Sequence, residues 1–151
     1  MRYGISAGSI IIDKLDRILL VHHYEAGKYD FWVPPGGSLE GNESIYDCAR
    51  RELLEETGLQ ADLDFPLYIQ EFWEPDYHFV KIFMLGNLTG GTLTTQNKES
   101  NESFLIEAKF FSRNELQELT VFPEILKDQF WKDRKENKLT TRYLGLERLK
   151  F

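Results

Sequence analysis

Residues 37–59 read GSLEGNESIYDCARRELLEETGL. This stretch gathers Glu43, Glu52, Glu55 and Glu56 beside Arg51 and closes with Gly58 and Leu59, after opening on Gly37. A helix is expected from Asn42 or Ser44, both good N-cap types, to Gly58, a residue suited to the C′ position. Glu52, Glu55 and Glu56 then stand at i, i+3 and i+4 and project from one face, over an arc of roughly 100°. A solvated charge face should lie opposite the apolar stripe. Here it abuts Ile45 and Ala49, while Glu43, Arg50 and Thr57 occupy the far side. The three glutamates also crowd the C-terminal turns, where the helix dipole is negative and each is disfavoured by about 0.3–1 kcal/mol at an exposed site. The competing reading is an ordinary surface helix laced with salt bridges. A divalent cation would turn the same crowding into a binding site, and hard oxygen ligands select Mg²⁺ or Mn²⁺.

Around this segment the sequence alternates strands and turns. Residues 5–13 and 17–23 read as a strand pair, and 24–30 as a loop. Phe31–Val33 is a brief extended piece, followed by a turn at Pro34-Pro35-Gly36-Gly37. Residues 61–74 and 77–88 form a second expected hairpin, joined at Glu74-Pro75-Asp76. The polar stretch 92–103 reads as a mobile loop, and 105–111 as a strand. Ser112 and Glu115 suggest a capping box opening a short helix. Glu124 to Lys135 suggests a longer helix with Ile125, Leu126, Gln129 and Phe130 as its apolar stripe. The closing RYLGLERLKF is a last strand or an extended tail. With no repeat and no linker, residues 1–151 are expected to form one α+β domain, a mixed sheet with helices on its faces.

Composition narrows the partners. The chain has 151 residues, 25 acidic and 18 basic, and a net charge of −7. That disfavours a broad nucleic-acid surface, which needs a basic face. Cys48 is the single cysteine, which excludes an internal disulfide and fits a cytoplasmic protein. It is better read as a packing residue than as a nucleophile. No signal-peptide core or membrane-length apolar run is present.

The order Gly37, Glu43, Arg51-Glu52-Leu53, Glu55-Glu56, Gly58-Leu59 matches in full the box of the Nudix hydrolases, which this sequence resembles. The resemblance implies an α/β/α sandwich with a mixed β-sheet and the box helix on one face. It implies that Glu52, Glu55 and Glu56 bind Mg²⁺, with Mn²⁺ as an alternative, helped by the carbonyl of Gly36. Arg51 and Glu43 would orient these acids, with Gly37 and Gly58 shaping the box. The reaction implied is hydrolysis of a nucleoside diphosphate linked to another group, with Glu52 or a late-loop acid as the general base. Glu99, Glu102 and Glu107 are the late-loop candidates, and Glu102 is preferred. Trp73, Tyr77 and His78 are the expected substrate contacts, with Phe79, Tyr24 and Tyr29 as further aromatics and His22 and His23 read as strand residues. The position of Pro75 after the box is similar to that in the ADP-ribose pyrophosphatase subgroup. That of Tyr77 is similar to the dinucleoside polyphosphate subgroup. An ADP-ribose-like small nucleotide is therefore the first reading of the substrate. A nucleoside triphosphate or dinucleoside polyphosphate is the alternative, and a non-catalytic nucleotide sensor is the alternative of another class. No membrane partner is expected. A homodimer is, with Leu144, Leu146 and Leu149 of the 143–151 tail available to it.

Overall fold

Isoleucine-rich Arg2–Ile12 forms β1, the strand on which the sheet is assembled. In the computed structural model, which describes residues 1–149, the other strands are β2 (Ile18–Glu25), β3 (Tyr29–Val33), β4 (Gly36–Ser38), β5 (Leu59–Glu74), β6 (Tyr77–Gly91), β7 (Leu105–Phe111) and β8 (Arg142–Arg148). The helices are α1 (Ile45–Thr57) and α2 (Gln129–Lys135). The sheet order is β3-β2-β1-β6-β5-β8, with β4 also on β1 and β7 also on β2. β1 runs parallel to β6, and β5 runs parallel to β8, while the remaining pairs are antiparallel. The sheet is thus mixed.

β1 changes partner along its length. It meets β2 only at Ile12↔Ile18, whereas Ser6, Ala7 and Gly8 pair with Ser38, Gly37 and Gly36 of β4. Beyond that junction β2 and β3 leave β1.

Alternation along β1 sends successive isoleucines to opposite faces. Ile11 packs with Leu53 of α1, Leu19 and Leu59, and Ala7 with Cys48 and Ala49. Ile10 and Ile12 pack on the other side with Leu126, Phe130 and Trp131. Helices therefore cover both faces, giving the expected α/β/α sandwich. No described helix is long and apolar enough to cross a membrane.

α1 starts where expected, with the Ser44 Oγ accepting the Asp47 N–H at 3.1 Å. It stops at Gly58 with φ 74°, a left-handed conformation that costs glycine little. Thr57, expected on the exposed far side, is instead buried. Its hydroxyl donates to Leu53 O at 2.6 Å and accepts from Leu59 N–H at 3.2 Å, so it ties the last turn to β5.

The late segments differ more. Only a 3₁₀ turn, Asn114–Leu116, follows Ser112, and Glu115 Oε1 accepts the Ser112 N–H at 3.0 Å. The helix expected over 124–135 is broken. A 3₁₀ turn covers Glu124–Lys127, then Asp128 at φ −144°, ψ −71° resets the helical phase before α2. Gln129 is consequently exposed, and Trp131 takes the buried place, its indole N–H donating to Leu126 O at 2.7 Å. The end of the chain is the strand β8 up to Arg148, while Lys150 and Phe151 of the expected tail lie outside the described residues.

Leu53 is fully buried where α1 meets β1, β2 and β5. Leu53→Ala is expected to lower unfolding free energy by about 2–5 kcal/mol in urea titrations. A loss under about 1 kcal/mol would contradict this packing.

Candidate active site

The box begins with a close approach. β4 is held on β1, and its Gly37 faces Glu52 of α1 so closely that a Cβ there would sit 2.5 Å from Glu52 Oε1. Any side chain at position 37 would push that carboxylate from its place. Gly36 meets the acids through its amide, which donates to Glu56 Oε1 at 2.7 Å.

Arg51 braces the helix to the loop before it. Its Nε and Nη2 donate to the two oxygens of Glu43 at 3.1 and 2.8 Å, a bidentate pair. Its Nη1 reaches Glu52 Oε1 at 2.9 Å and Glu55 Oε2 at 3.2 Å, and Nη2 also donates to Ser38 O at 3.1 Å. The Arg51 hydrogen bonds, with the Glu40 amide, hold the Glu43 carboxyl down to about 2. Cys48 is buried beneath this brace, and burial pushes its thiol up to about 12, so it is chemically quiet.

Glu52, Glu55 and Glu102 converge, each offering an oxygen within 4.8 Å of the others. Glu102 comes from the 92–104 loop, where its N–H donates to Glu99 O at 3.0 Å and its carboxylate accepts from the Glu99 N–H at 3.3 Å. Glu99 and Glu107 remain exposed. Burial pushes Glu52 up to about 7 despite Arg51, with the charges of Glu102 and Glu55 adding to the rise. Glu56, 1% exposed, is raised well above the usual carboxylate range by burial and then by Glu52 and Glu102. Burial, Glu99 and Glu55 raise Glu102. Crowded, desolvated carboxylates with hard oxygen donors fit Mg²⁺ or Mn²⁺, whose charge would offset the repulsion.

A cavity of about 590 Å³ opens where β2 and β3 separate from β5 and β6. Phe31, Phe72, Phe79, Phe83 and Phe122 line it, together with His23, Lys81, Glu124, Glu147 and Arg148. Phe72 and Phe79 stack at 5.2 Å, and Phe31 meets Phe122 edge-on at 5.5 Å. Burial, then the charges of Lys81 and His22, hold His23 at about 3, so it is neutral at neutral pH, and its Nε2 has no hydrogen-bond partner among the described residues.

Trp73, Tyr77 and His78 are not brought to this cavity. Phe72 is paired with Phe79, and the next pair is Trp73 with His78, so strand alternation sends the latter two to the opposite face. There His78 Nε2 pairs with Glu71 at 2.7 Å, and the Arg148 guanidinium lies 5.2 Å from the Trp73 ring. Tyr77 stacks on Phe79 at 5.3 Å near the end of the hairpin, beneath Arg2. Of the hairpin aromatics named from the sequence, Phe79 lines the cavity and Tyr77 shares its face, whereas Trp73 and His78 point the other way. Sequence reasoning passed over Lys81, although a lysine inside the apolar run YHFVKIFML is a visible signal. Phe122 and His23 reach the cavity only through tertiary packing.

Comparison with known proteins places this arrangement. A profile of the NUDIX domain matches residues 2–133. The ADP-ribose pyrophosphatase of Methanocaldococcus jannaschii is 31% identical over 127 residues, 82% of this chain and 72% of that protein. The 8-oxo-dGDP phosphatase of Danio rerio is 28% identical over 106 residues, 70% of this chain and 31% of that protein, so the chain spans about a third of that relative's length. The crystal structure of a NUDIX hydrolase from Nitrosomonas europaea has a TM-score of 0.78 at 18% identity, covering 99% of this chain and 81% of that one, a likeness of fold.

A raised carboxyl makes stability depend on pH. Glu52 binds its proton more tightly in the folded chain, at about 7, than at its ordinary 4.5. Its protonation therefore favours the fold, an effect fully present below pH 4.5 and lost as pH rises through 7. In excess chelator, Tm is expected to fall by roughly 6–12 °C between pH 4.5 and 8, for a loss of about 3 kcal/mol. A flat Tm over that window would contradict the buried setting of Glu52.

Proposed function

The chain belongs to the Nudix hydrolase family, and we propose that it is a single-domain, Mg²⁺-dependent pyrophosphohydrolase cleaving the diphosphate of a nucleoside diphosphate linked to another group. The observation that carries this reading is the convergence of Glu52, Glu55 and Glu102 within 4.8 Å. The cavity is linked to the acids through the sheet: Lys81, which lines it, pairs with Ser6 of β1, and Ser6 pairs with Ser38 of β4, whose Gly36 and Gly37 meet Glu56 and Glu52.

Glu52, Glu55 and Glu56 supply hard oxygens for Mg²⁺, or Mn²⁺ in its place. The cation, when bound, offsets the carboxylates against the substrate's phosphates and lowers the pKa of the attacking water. Arg51 and Glu43 fix the directions of Glu52 and Glu55, and the Gly36 amide fixes Glu56. Glu102 faces the cluster from a different element and accepts the proton of the attacking water as it bonds to phosphorus. The bridging P–O bond breaks and its oxygen leaves on the other phosphate. Phe72 and Phe79 on one side and Phe31 and Phe122 on the other offer ring faces and edges to a nucleobase. Trp73, Tyr77 and His78 then serve the hairpin rather than the substrate.

ADP-ribose-like substrates are favoured by the Methanocaldococcus jannaschii relative, which is matched over most of its length. A second reading, an oxidised purine nucleoside diphosphate, is favoured by the Danio rerio relative. A sensor without catalysis is disfavoured because every box acid is in place. The single buried Cys48 suits a reducing cytoplasm. Exposed Tyr143 and Leu146 on β8 offer a surface for a homodimer.

A panel of nucleotides with Mg²⁺, scored by products, tests the substrate. ADP-ribose giving AMP and ribose phosphate supports the first reading, 8-oxo-dGDP giving the monophosphate supports the second, and no turnover of any leaves the sensor. Glu56→Gln is expected to abolish Mg²⁺-dependent turnover while keeping or raising metal-free stability, and retained activity would remove Glu56 from the metal site. Glu102→Gln is expected to lower kcat by about 10²–10⁴-fold with little change in Mg²⁺ affinity. Weakened Mg²⁺ binding with kcat kept at saturating metal would make Glu102 a ligand instead.

A further inference from the structure

Lys81 is a cation of the cavity that the mechanism above leaves unused. It sits on β6 among Val80, Ile82 and Phe83, paired across the hairpin with Gln70. Its side chain lines the aromatic cavity. Its ammonium lies 5.2 Å from the centre of the Phe83 ring and, among the described residues, has no hydrogen-bond or ion-pair partner. An ammonium held in a largely apolar cavity without a carboxylate at bonding distance is costly, and such a group is kept where it has an anion to meet.

Its surroundings say where that anion would lie. On one side Lys81 pairs with Ser6 of β1, which pairs in turn with Ser38 of β4, the strand whose Gly36 amide holds Glu56; burial lowers the Lys81 ammonium from the usual lysine range while the charges of Glu56 and Glu52 act to raise it. On the other its charge reaches His23, whose unpartnered Nε2 lies at the cavity wall. Lys81 therefore occupies the junction between the acids and the cavity. The other nearby cations are directed elsewhere. Arg51 is committed to Glu43, Glu52 and Glu55, and Arg148, which also lines the cavity, has its guanidinium 5.2 Å from the ring of Trp73, a residue on the face opposite Phe72 and Phe79. Lys98 donates to the Leu105 carbonyl.

We infer that Lys81 binds the phosphate attached directly to the nucleoside, clamping the substrate at the point where it leaves the aromatic cavity for the acid cluster. The inference rests on the proposed cleavage of a nucleoside diphosphate at the acid cluster. A molecule with its base among the phenylalanines and its diphosphate at the glutamates passes Lys81 with its nucleoside-proximal phosphate. That phosphate is the part the glutamates repel and the rings cannot hold. An ammonium there offers donors to its non-bridging oxygens without a metal, and holds the released monophosphate as well as the substrate. Lys81 thereby selects for a phosphate at that position.

The test is binding without metal. In excess chelator, AMP and dGMP are titrated against adenosine and deoxyguanosine by calorimetry, with wild type, Lys81→Gln and Lys81→Arg. Wild type is expected to bind at least one monophosphate about 10- to 100-fold more tightly than its nucleoside. Lys81→Gln is expected to lose that preference while still binding the nucleoside, and Lys81→Arg to keep part of it. Equal binding of nucleotide and nucleoside by wild type, or an undiminished preference in Lys81→Gln, overturns the inference. A purely structural lysine would lower Tm in Lys81→Gln and leave the preference intact, which also overturns it. The wild-type comparison stands even where a variant does not fold. Because no turnover is measured, a protein that prefers the monophosphate but hydrolyses none of the panel would refute the proposed activity and leave the clamp standing. One that hydrolyses the panel without this preference would do the reverse.

Discussion

The structure depends on an unfavourable act, the burial of Glu52 and Glu56 beside two further carboxylates. Each would be better solvated, and each repels the others. The fold tolerates them through specific devices: the Arg51 fork, the Gly36 amide, and a glycine at position 37 that leaves the Glu52 carboxylate in place. Nearly every unusual feature of the first third of the chain serves this arrangement. β4 exists to present those glycines, and it can reach α1 only because β1 gives up β2 to pair with it.

That exchange of partners has a second consequence. Once β2 and β3 part from β1, a gap opens toward β5 and β6, and aromatic residues from both sides line it. The acid cluster and the cavity are thus two products of the same departure from a simple sheet. Their proximity follows from topology rather than from any one residue. Lys81 lines the cavity from β6 and pairs with Ser6 of β1, the strand that also carries β4.

The segment carrying the glutamates was legible because its signals are local. Helical spacing fixes which glutamates share a face, and Ser44 and Gly58 carry their own capping chemistry. Glu102, singled out for its place before β7, lies with Glu52 and Glu55 in space, although nothing in its immediate sequence required it. The hairpin of β5 and β6 was equally legible as an element. Which of its aromatics faced the cavity was not, because a shift of one residue along a strand exchanges the faces. The same loss of phase explains α2, where Asp128 interrupted a pattern that looked continuous and moved burial from Gln129 to Trp131.

The sequence by itself determined the chemistry of the box: carboxylates at helical spacing, a braced arginine and glycines at fixed positions, all set by interactions a few residues apart. It also determined the alternation of strands from which a sandwich follows. Only the tertiary structure decided which side chains share the cavity, because His23, Lys81 and Phe122 come from distant segments and meet through sheet register and packing. The degree of burial that raises Glu52 and Glu56 was likewise a tertiary result, since desolvation depends on everything packed around a group and not on its neighbours in the chain.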